Sequence, residues 1–261
     1  VRAGSYADLA GSRAVVIASG AAQRPGETRL HLLGRNAAIL GAVVPSVLEH
    51  APDAVLVVVS NPVDILTHLA AHFAASGGVP ATRVIGSGTM LDTARFRALL
   101  GRHLGLDPQH VHAYVLGEHG DSEVLNWSQV SIAGMGLEEF VKVHGRPLQP
   151  EDRRQIDEQV RRAAYQIIAG KGATYYGISS AVARLLEVIL YDQRAVLTIS
   201  CRIETVSNFA GVTFSLPHLV YGGGALSTIA PRLDDVERAS LERSASVLRD
   251  AISSLRRAGE S

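Results

Sequence analysis

Apolar positions change their rhythm several times along this chain, and each change predicts an element. Ala14-Val15-Val16-Ile17 is a short β-branched run, closed by Ala18-Ser19-Gly20 and followed by the polar stretch Gln23-Arg24-Pro25-Gly26-Glu27-Thr28-Arg29. That pattern predicts a strand and then a loop. Leu30, Leu33, Ala37, Leu40 and Val44 recur at helical spacing as far as Pro45, where a break is expected, and a second helical piece carries the chain to Pro52. From Ala54 to Val59 the chain is apolar without alternation, which suits a parallel strand covered on both faces. Ser60-Asn61-Pro62 ends it. A helical segment from Ile65 to Ala75, a short strand Arg83-Val84-Ile85 and the turn Gly86-Ser87-Gly88-Thr89 follow. Strand, loop and helix have then alternated three times, which predicts a doubly wound parallel sheet that binds ligands at the carboxyl ends of its strands.

Past His119 the pattern differs. Gln129 to Ala133 reads as a strand, and a charged helix is expected from Pro150-Glu151, with Ile156, Val160, Ala164 and Ile167 on one face and a break at Gly170-Lys171-Gly172. Ile178, Val182, Leu185 and Ile189 continue as a second helix. Ala195–Ser200 and Val212–Leu216 suggest an antiparallel sheet, and Asp234 to Arg257 places Leu241, Leu248, Ile252 and Leu255 on one stripe behind acidic residues suited to a helix N-terminus. Neither an internal repeat nor a low-complexity linker interrupts the sequence.

Charge narrows the class of partner. The 261 residues carry 25 basic and 25 acidic side chains without strong blocks of either sign, so neither nucleic acid nor an anionic membrane is expected to bind. A small molecule fits better. Cys201 is the only cysteine, which rules out an internal disulfide and clustered thiolate metal sites and agrees with a reducing cytoplasm. The longest apolar runs fall far short of the ~20 residues that span a bilayer.

Candidate chemistry gathers where the strands end. Gln23 and Arg29 lie on the first loop, Asn61 on the second, Asp92 and Arg95 after the third strand, and His119 within Leu116-Gly117-Glu118-His119-Gly120-Asp121-Ser122. An imidazole can take and give a proton near neutrality, and a buried carboxylate behind it would fix the ring and favour its charged form. Asp92 is the candidate. Arg95, three residues on, shares its helix face and could grip a substrate carboxylate through two parallel hydrogen bonds. Arg29 could stabilise negative charge developing on a carbonyl oxygen. Taken singly, each has a plainer reading: a surface ion pair for Asp92 and Arg95, a solvated loop cation for Arg29, turn chemistry for Asn61-Pro62, a loop histidine for His119.

Together, Gln23–Arg29, Ser60-Asn61-Pro62-Val63-Asp64, Gly86-Ser87-Gly88-Thr89 with Leu91-Asp92 through Arg95, and Gly117-Glu118-His119-Gly120-Asp121 resemble the lactate and malate dehydrogenase family, on its bacterial L-lactate side. Lys171-Gly172-Ala173-Thr174-Tyr175-Tyr176-Gly177-Ile178 and Ser215-Leu216-Pro217 extend the resemblance over nearly the whole chain. It implies NAD-dependent interconversion of L-lactate and pyruvate, with His119 as acid and base, Asp92 orienting and charging it, Arg95 binding the substrate carboxylate and Arg29 polarising the carbonyl. Asn61 would hydrogen-bond near the reacting oxygen and the nicotinamide, Thr174 would line the substrate pocket, and Gly20 and Ile178 would lie against the cofactor. At Gln23 the relatives that reduce oxaloacetate carry arginine, so glutamine suits pyruvate. Malate dehydrogenase activity is the alternative within the class. Arg97 and His112 match positions where bacterial relatives bind fructose 1,6-bisphosphate at a subunit interface. The resemblance also implies a homo-oligomer.

The family's opening strand, Gly-x-Gly-x-x-Gly turn and ribose-binding acid have no counterpart here. Val1-Arg2-Ala3-Gly4-Ser5-Tyr6 reads like the interior of a longer sequence. The expected fold is therefore α/β: an incomplete doubly wound, Rossmann-type parallel sheet over residues 1–88, lacking the first βαβ unit, followed by an α+β catalytic domain with antiparallel sheet over 89–261. Two functional classes follow, a dehydrogenase whose N-terminal segment is missing from this sequence, or a shortened, noncatalytic subunit that does not hold NAD.

Overall fold

The computed structural model describes residues 1–21, 29–172 and 174–259. Its first half is three parallel strands with helices on both faces. Strand β1 (Ala14–Ile17) pairs with β2 (Val55–Val58), and β2 with β3 (Val84–Gly86). Leu56 and Val58 of β2 pack under α1 (Arg29–His50) and α2 (Val63–Ala75), whereas Val55 and Val57 pack on the opposite face against Leu185, Val188 and Ile189. Two covered faces account for the unalternating apolar run.

The break expected at Pro45 does not occur. Helix α1 runs through it to His50. Pro45 lies on the exposed face, so the carbonyl it deprives of a hydrogen bond can meet water, while Leu40, Val44 and Val47 stay in the core on the other side. This helix is long and apolar enough to cross a bilayer, but those buried residues make it part of the core.

The second half continues the same sheet. Helix α3 (Met90–Leu104) leads to short strands β4 (Val111–His112), β5 (Val115–Leu116), β6 (Val124–Leu125), β7 (Ser131–Ile132) and β8 (Met135–Gly136). Only Ser131–Ile132 of the strand expected at 129–133 forms. A 3-10 turn occupies Trp127–Gln129, and Ala133 has φ +53°, which turns the chain. Helices α4 (Leu137–His144), α5 (Pro150–Lys171) and α6 (Tyr176–Tyr191) follow, with Gly172 at φ +77° closing α5 at the anticipated break. Strands β9 (Ala195–Arg202), β10 (Thr213–Tyr221) and β11 (Gly224–Thr228) are antiparallel, and α7 (Asp235–Gly259) closes the chain. The antiparallel strands are not a separate sheet: β9 joins β3 through the single pair Gly86–Ser200, giving the order β1-β2-β3-β9-β10-β11. That junction carries the site.

Candidate active site

Glycine makes the junction possible. Gly88, at φ +51°, passes so close to β9 and β10 that a Cβ there would lie 2.4 Å from the Ser200 nitrogen and 2.5 Å from Ser215 Oγ. Directly after it, the Thr89 N–H donates to Ser215 Oγ (3.0 Å), its hydroxyl donates to the Val115 carbonyl (2.5 Å), and Thr93 Oγ1 accepts from the Val115 N–H (2.9 Å). The first turn of α3 is thus fastened to β5, the strand that leads into the His119 loop. Asp92 sits in that turn.

The result is a contact across 27 residues: Asp92 Oδ2 lies 2.5 Å from His119 Nδ1, and Arg95 donates to Asp92 Oδ1 at 2.9 Å. Asp92 is 2% exposed, while the His119 side chain keeps 23% of its surface accessible. A buried acid behind a partly open ring is the arrangement expected of an imidazole that exchanges a proton with a ligand. Burial works against a charge on His119, but the hydrogen bond and charge of Asp92, with Asp64 and Glu123 adding to it, outweigh that and push its pKa up to about 9.

The loop around His119 is tied from several directions. Gly117 exchanges two backbone hydrogen bonds with Ser215 (2.8 and 2.9 Å), and the Glu118 N–H donates to Ser244 Oγ of α7 (2.8 Å). The His119 N–H itself donates to Asp64 Oδ2 of α2 at 2.7 Å, and from α5 Arg161 donates to the Asp121 carbonyl and Tyr165 to its carboxylate, both at 3.0 Å. Asp64 is 2% exposed. Burial pushes its pKa up to about 6, against the pull of the Ser200 hydroxyl and the His119 N–H and charge. Neither Asp64, Glu123, Ser215 nor Ser244 stood out in the sequence as a functional residue. For Asp64 there was a signal: a carboxylate inside Val63-Asp64-Ile65-Leu66, in the first turn of an apolar helix, needs a partner.

Other sequence-derived candidates are placed as follows. Arg95, Thr174 and Ile178 line one cavity of about 260 Å³ between α3, α5 and α6, with Leu91, Gln166 and Lys171. Asn61, exposed at the end of β2, accepts the Val63 N–H with Oδ1 (3.2 Å) across a cis Asn61–Pro62 bond. Gly20 is exposed past the end of the neighbouring strand β1, where a Cβ would make ordinary contact with Asn36 and Ser60 at 3.4 and 3.5 Å. The carboxyl ends of two adjacent parallel strands therefore present backbone without a covering side chain at Gly20 and an amide at Asn61, which fits one end of a dinucleotide. Arg97 is elsewhere. Its Nε donates to the Ala113 carbonyl (2.9 Å), beside exposed His112 in the chain, and its guanidinium lies 5.3 Å from the Tyr114 ring centroid. Gln23 and the side chain of Arg29 lie outside the described residues, and only the Arg29 backbone is placed, as the first residue of α1.

Comparison with known proteins agrees over the whole length. The family described as lactate/malate dehydrogenase, NAD binding domain, matches residues 1–86, and lactate/malate dehydrogenase, alpha/beta C-terminal domain, matches 89–257. The chain is 56% identical over 255 residues to an L-lactate dehydrogenase of Geotalea daltonii, covering 98% of this chain and 82% of that protein. It is 54% identical to one of Thermus aquaticus, covering 98% and 81%. Among solved structures, a lactate dehydrogenase from a Medee basin deep-sea metagenome superposes with a TM-score of 0.92 at 37% identity, over 97% of this chain and 80% of that one. The minor L-lactate dehydrogenase of Enterococcus mundtii gives 0.90 at 37%, over 97% and 79%. With the fold, both halves of the sequence and the histidine junction in agreement, this chain belongs to the lactate/malate dehydrogenase family.

Proposed function

We propose that this protein catalyses the NAD-dependent interconversion of L-lactate and pyruvate. The observation that carries the reading is the contact of Asp92 with both His119 and Arg95, which brings an acid–base group and a carboxylate-binding fork to one place. The curated relatives at 56% and 54% identity, both L-lactate dehydrogenases, support this enzymatic reading over a noncatalytic subunit. Residues 1–88 serve in dinucleotide binding and 89–261 as the catalytic domain.

In pyruvate reduction the His119 imidazolium gives its proton to the carbonyl oxygen, and in lactate oxidation the neutral ring takes the hydroxyl proton. Asp92 keeps the ring in one orientation and stabilises its charged form. Arg95 has one nitrogen on Asp92 and offers the rest of its fork to the substrate carboxylate, while Thr174 borders the group at the other end. Arg29 stabilises charge on the carbonyl oxygen, and Gln23 leaves the pocket without a cation for a second carboxylate. Gly20, Asn61 and Ile178 would hold the nicotinamide end of NAD, which when bound accepts or returns the hydride.

Three finer assignments belong to the same reading. The protein is cytoplasmic, in keeping with its single buried thiol. It is a homo-oligomer, and Arg97 with His112 receives fructose 1,6-bisphosphate between subunits, supported by a half-buried Arg97 held on the Ala113 carbonyl, the next residue after His112. One experiment addresses the substrate, the assembly and the effector. Steady-state assays with NADH and either pyruvate or oxaloacetate, with and without the bisphosphate, are read beside mass by light scattering. Pyruvate should be preferred by at least about tenfold, the order of discrimination a single pocket contact gives. A preference for oxaloacetate would overturn the substrate assignment, and a bisphosphate that alters neither rate nor mass would remove the effector site.

A further inference from the structure

The proton chemistry proposed above uses His119 and Asp92 but leaves a third ionisable group beside them without a task. Glu123, on the same loop, is 3% exposed. Atoms of Asp92, His119 and Glu123 able to share a proton or a cation lie within 4.8 Å of one another. Glu123 Oε1 is buried and has no hydrogen-bond partner among the described residues. An ionised carboxylate so placed pays desolvation with little return, and a second one beside Asp92 adds like-charge repulsion.

We propose that Glu123 is a positioning residue that acts on the reaction through His119, as a reserve acid that is neutral while Asp92 alone supports the ring and becomes a second negative charge when it gives its proton to solvent. The charged ring then keeps its proton further into alkaline conditions than Asp92 by itself would allow. The proposal rests on the reading of His119 as acid and base.

The surroundings agree with this use. Burial pushes the Glu123 carboxyl up to about 8, Asp92 on α3 and Asp157 on α5 push it further, and Arg161 on α5 and His119 pull it back. Arg95 on α3 holds the far oxygen of Asp92, and Asp64 on α2 faces His119 from behind its backbone. Arg161 is itself paired with Asp157, so it is not wholly available to fix Glu123 in the ionised state. The sign is then set. Below about pH 8 Glu123 is neutral and its effect on the ring is small, and above it the carboxylate favours the imidazolium, so the ring and the acid titrate together.

Glu123→Gln keeps the shape of the neutral acid and removes only its ability to ionise. In the full chain, the pH profile of kcat/KM for pyruvate reduction and the NMR titration of the His119 ring, identified by its loss in His119→Gln, report the same group. Both midpoints should fall by about one pH unit in Glu123→Gln, the size expected when one charge is withdrawn within ~4–6 Å. Should the glutamine variant not fold, Glu123→Met, similar in length and uncharged, should give the same fall. Unchanged midpoints in a folded variant would overturn the proposal while leaving the acid–base reading intact. A wild-type profile without any ionisation that His119→Gln removes would overturn both.

Discussion

The His119 loop and the α5–α6 junction form two sides of the proposed substrate site, yet they are built in opposite ways. The first is held by side chains from α2, α3, α5 and α7 and by the backbone of β10, and most of its polar partners are buried. The second carries Thr174 and Ile178 half-buried, next to Tyr175 and Tyr176 that are 60% and 80% exposed. Proton transfer demands a ring fixed to a few tenths of an ångström. Gripping a small acid and a flat cofactor ring tolerates, and can use, a surface that is completed only by the ligand. The comparison teaches that acid–base geometry is preformed here, while the apolar side of the pocket is left open.

The largest effect should come from the centre of the fixed region. His119→Gln keeps a polar side chain but removes the proton carrier, and general acid–base groups of this kind contribute about 100- to 10,000-fold. Turnover should fall by about a thousandfold in both directions, while NAD affinity measured by fluorescence titration stays within about twofold. Turnover near the wild-type rate would mean that the geometry serves something other than proton transfer.

Asp64→Asn asks how much the outer tether is worth. The His119 N–H keeps an oxygen to donate to, but the charge is gone, and a hydrogen bond to a charged group contributes about 1.5–3 kcal/mol. That is roughly a 10- to 100-fold loss of kcat/KM if the strain reaches the ring. The pH dependence separates this from a general loss of folding. With its pKa raised to about 6, Asp64 is charged above that pH and protonated below it, where the wild type already resembles the variant. The gap should therefore be widest above pH 7 and close as pH falls through 6. Because the Asp64 charge also supports the imidazolium, the pyruvate-reduction profile of the variant should move to lower pH. A gap that is the same at pH 5 and pH 8 would reduce Asp64 to packing.

How much of this could be read from the sequence depends on distance along the chain. Asp92 and Arg95 are one helical turn apart, so their partnership is written in local spacing. The unalternating run at 54–59 likewise announced a strand covered twice, as it proved. Asp64 and His119 are 55 residues apart, and Ser244 meets Glu118 across 126. No periodicity encodes such pairs, since they exist only once β3 meets β9 and the helices pack around the junction. Pro45 failed as a break for a related reason, because local propensity yields where the apolar stripe on the far side of the helix is buried. The role of Gln23 is legible only through family likeness, and Gln23 lies outside the described residues. Arg29, expected on the polar loop, has its backbone placed as the first residue of α1 and its side chain outside the described residues.

The open region supplies the smallest effect and the sharpest contrast. Ile178 is half-buried and shares its cavity with Arg95 and Thr174, so its apolar surface is available to a flat ring in the bound state. Ile178→Ala removes three carbons whose burial against the nicotinamide should give about 1–1.5 kcal/mol, or roughly a tenfold weaker NAD affinity. The same truncation costs the ligand-free protein little, because this side chain is not in the core clusters that hold the fold. Its melting temperature should change by less than about 2 °C without NAD, and the extra stabilisation that saturating NAD confers should shrink. A large drop in melting temperature without the cofactor would show that α6 is held as firmly as the His119 loop, and the division between a fixed and an open side of the site would fall.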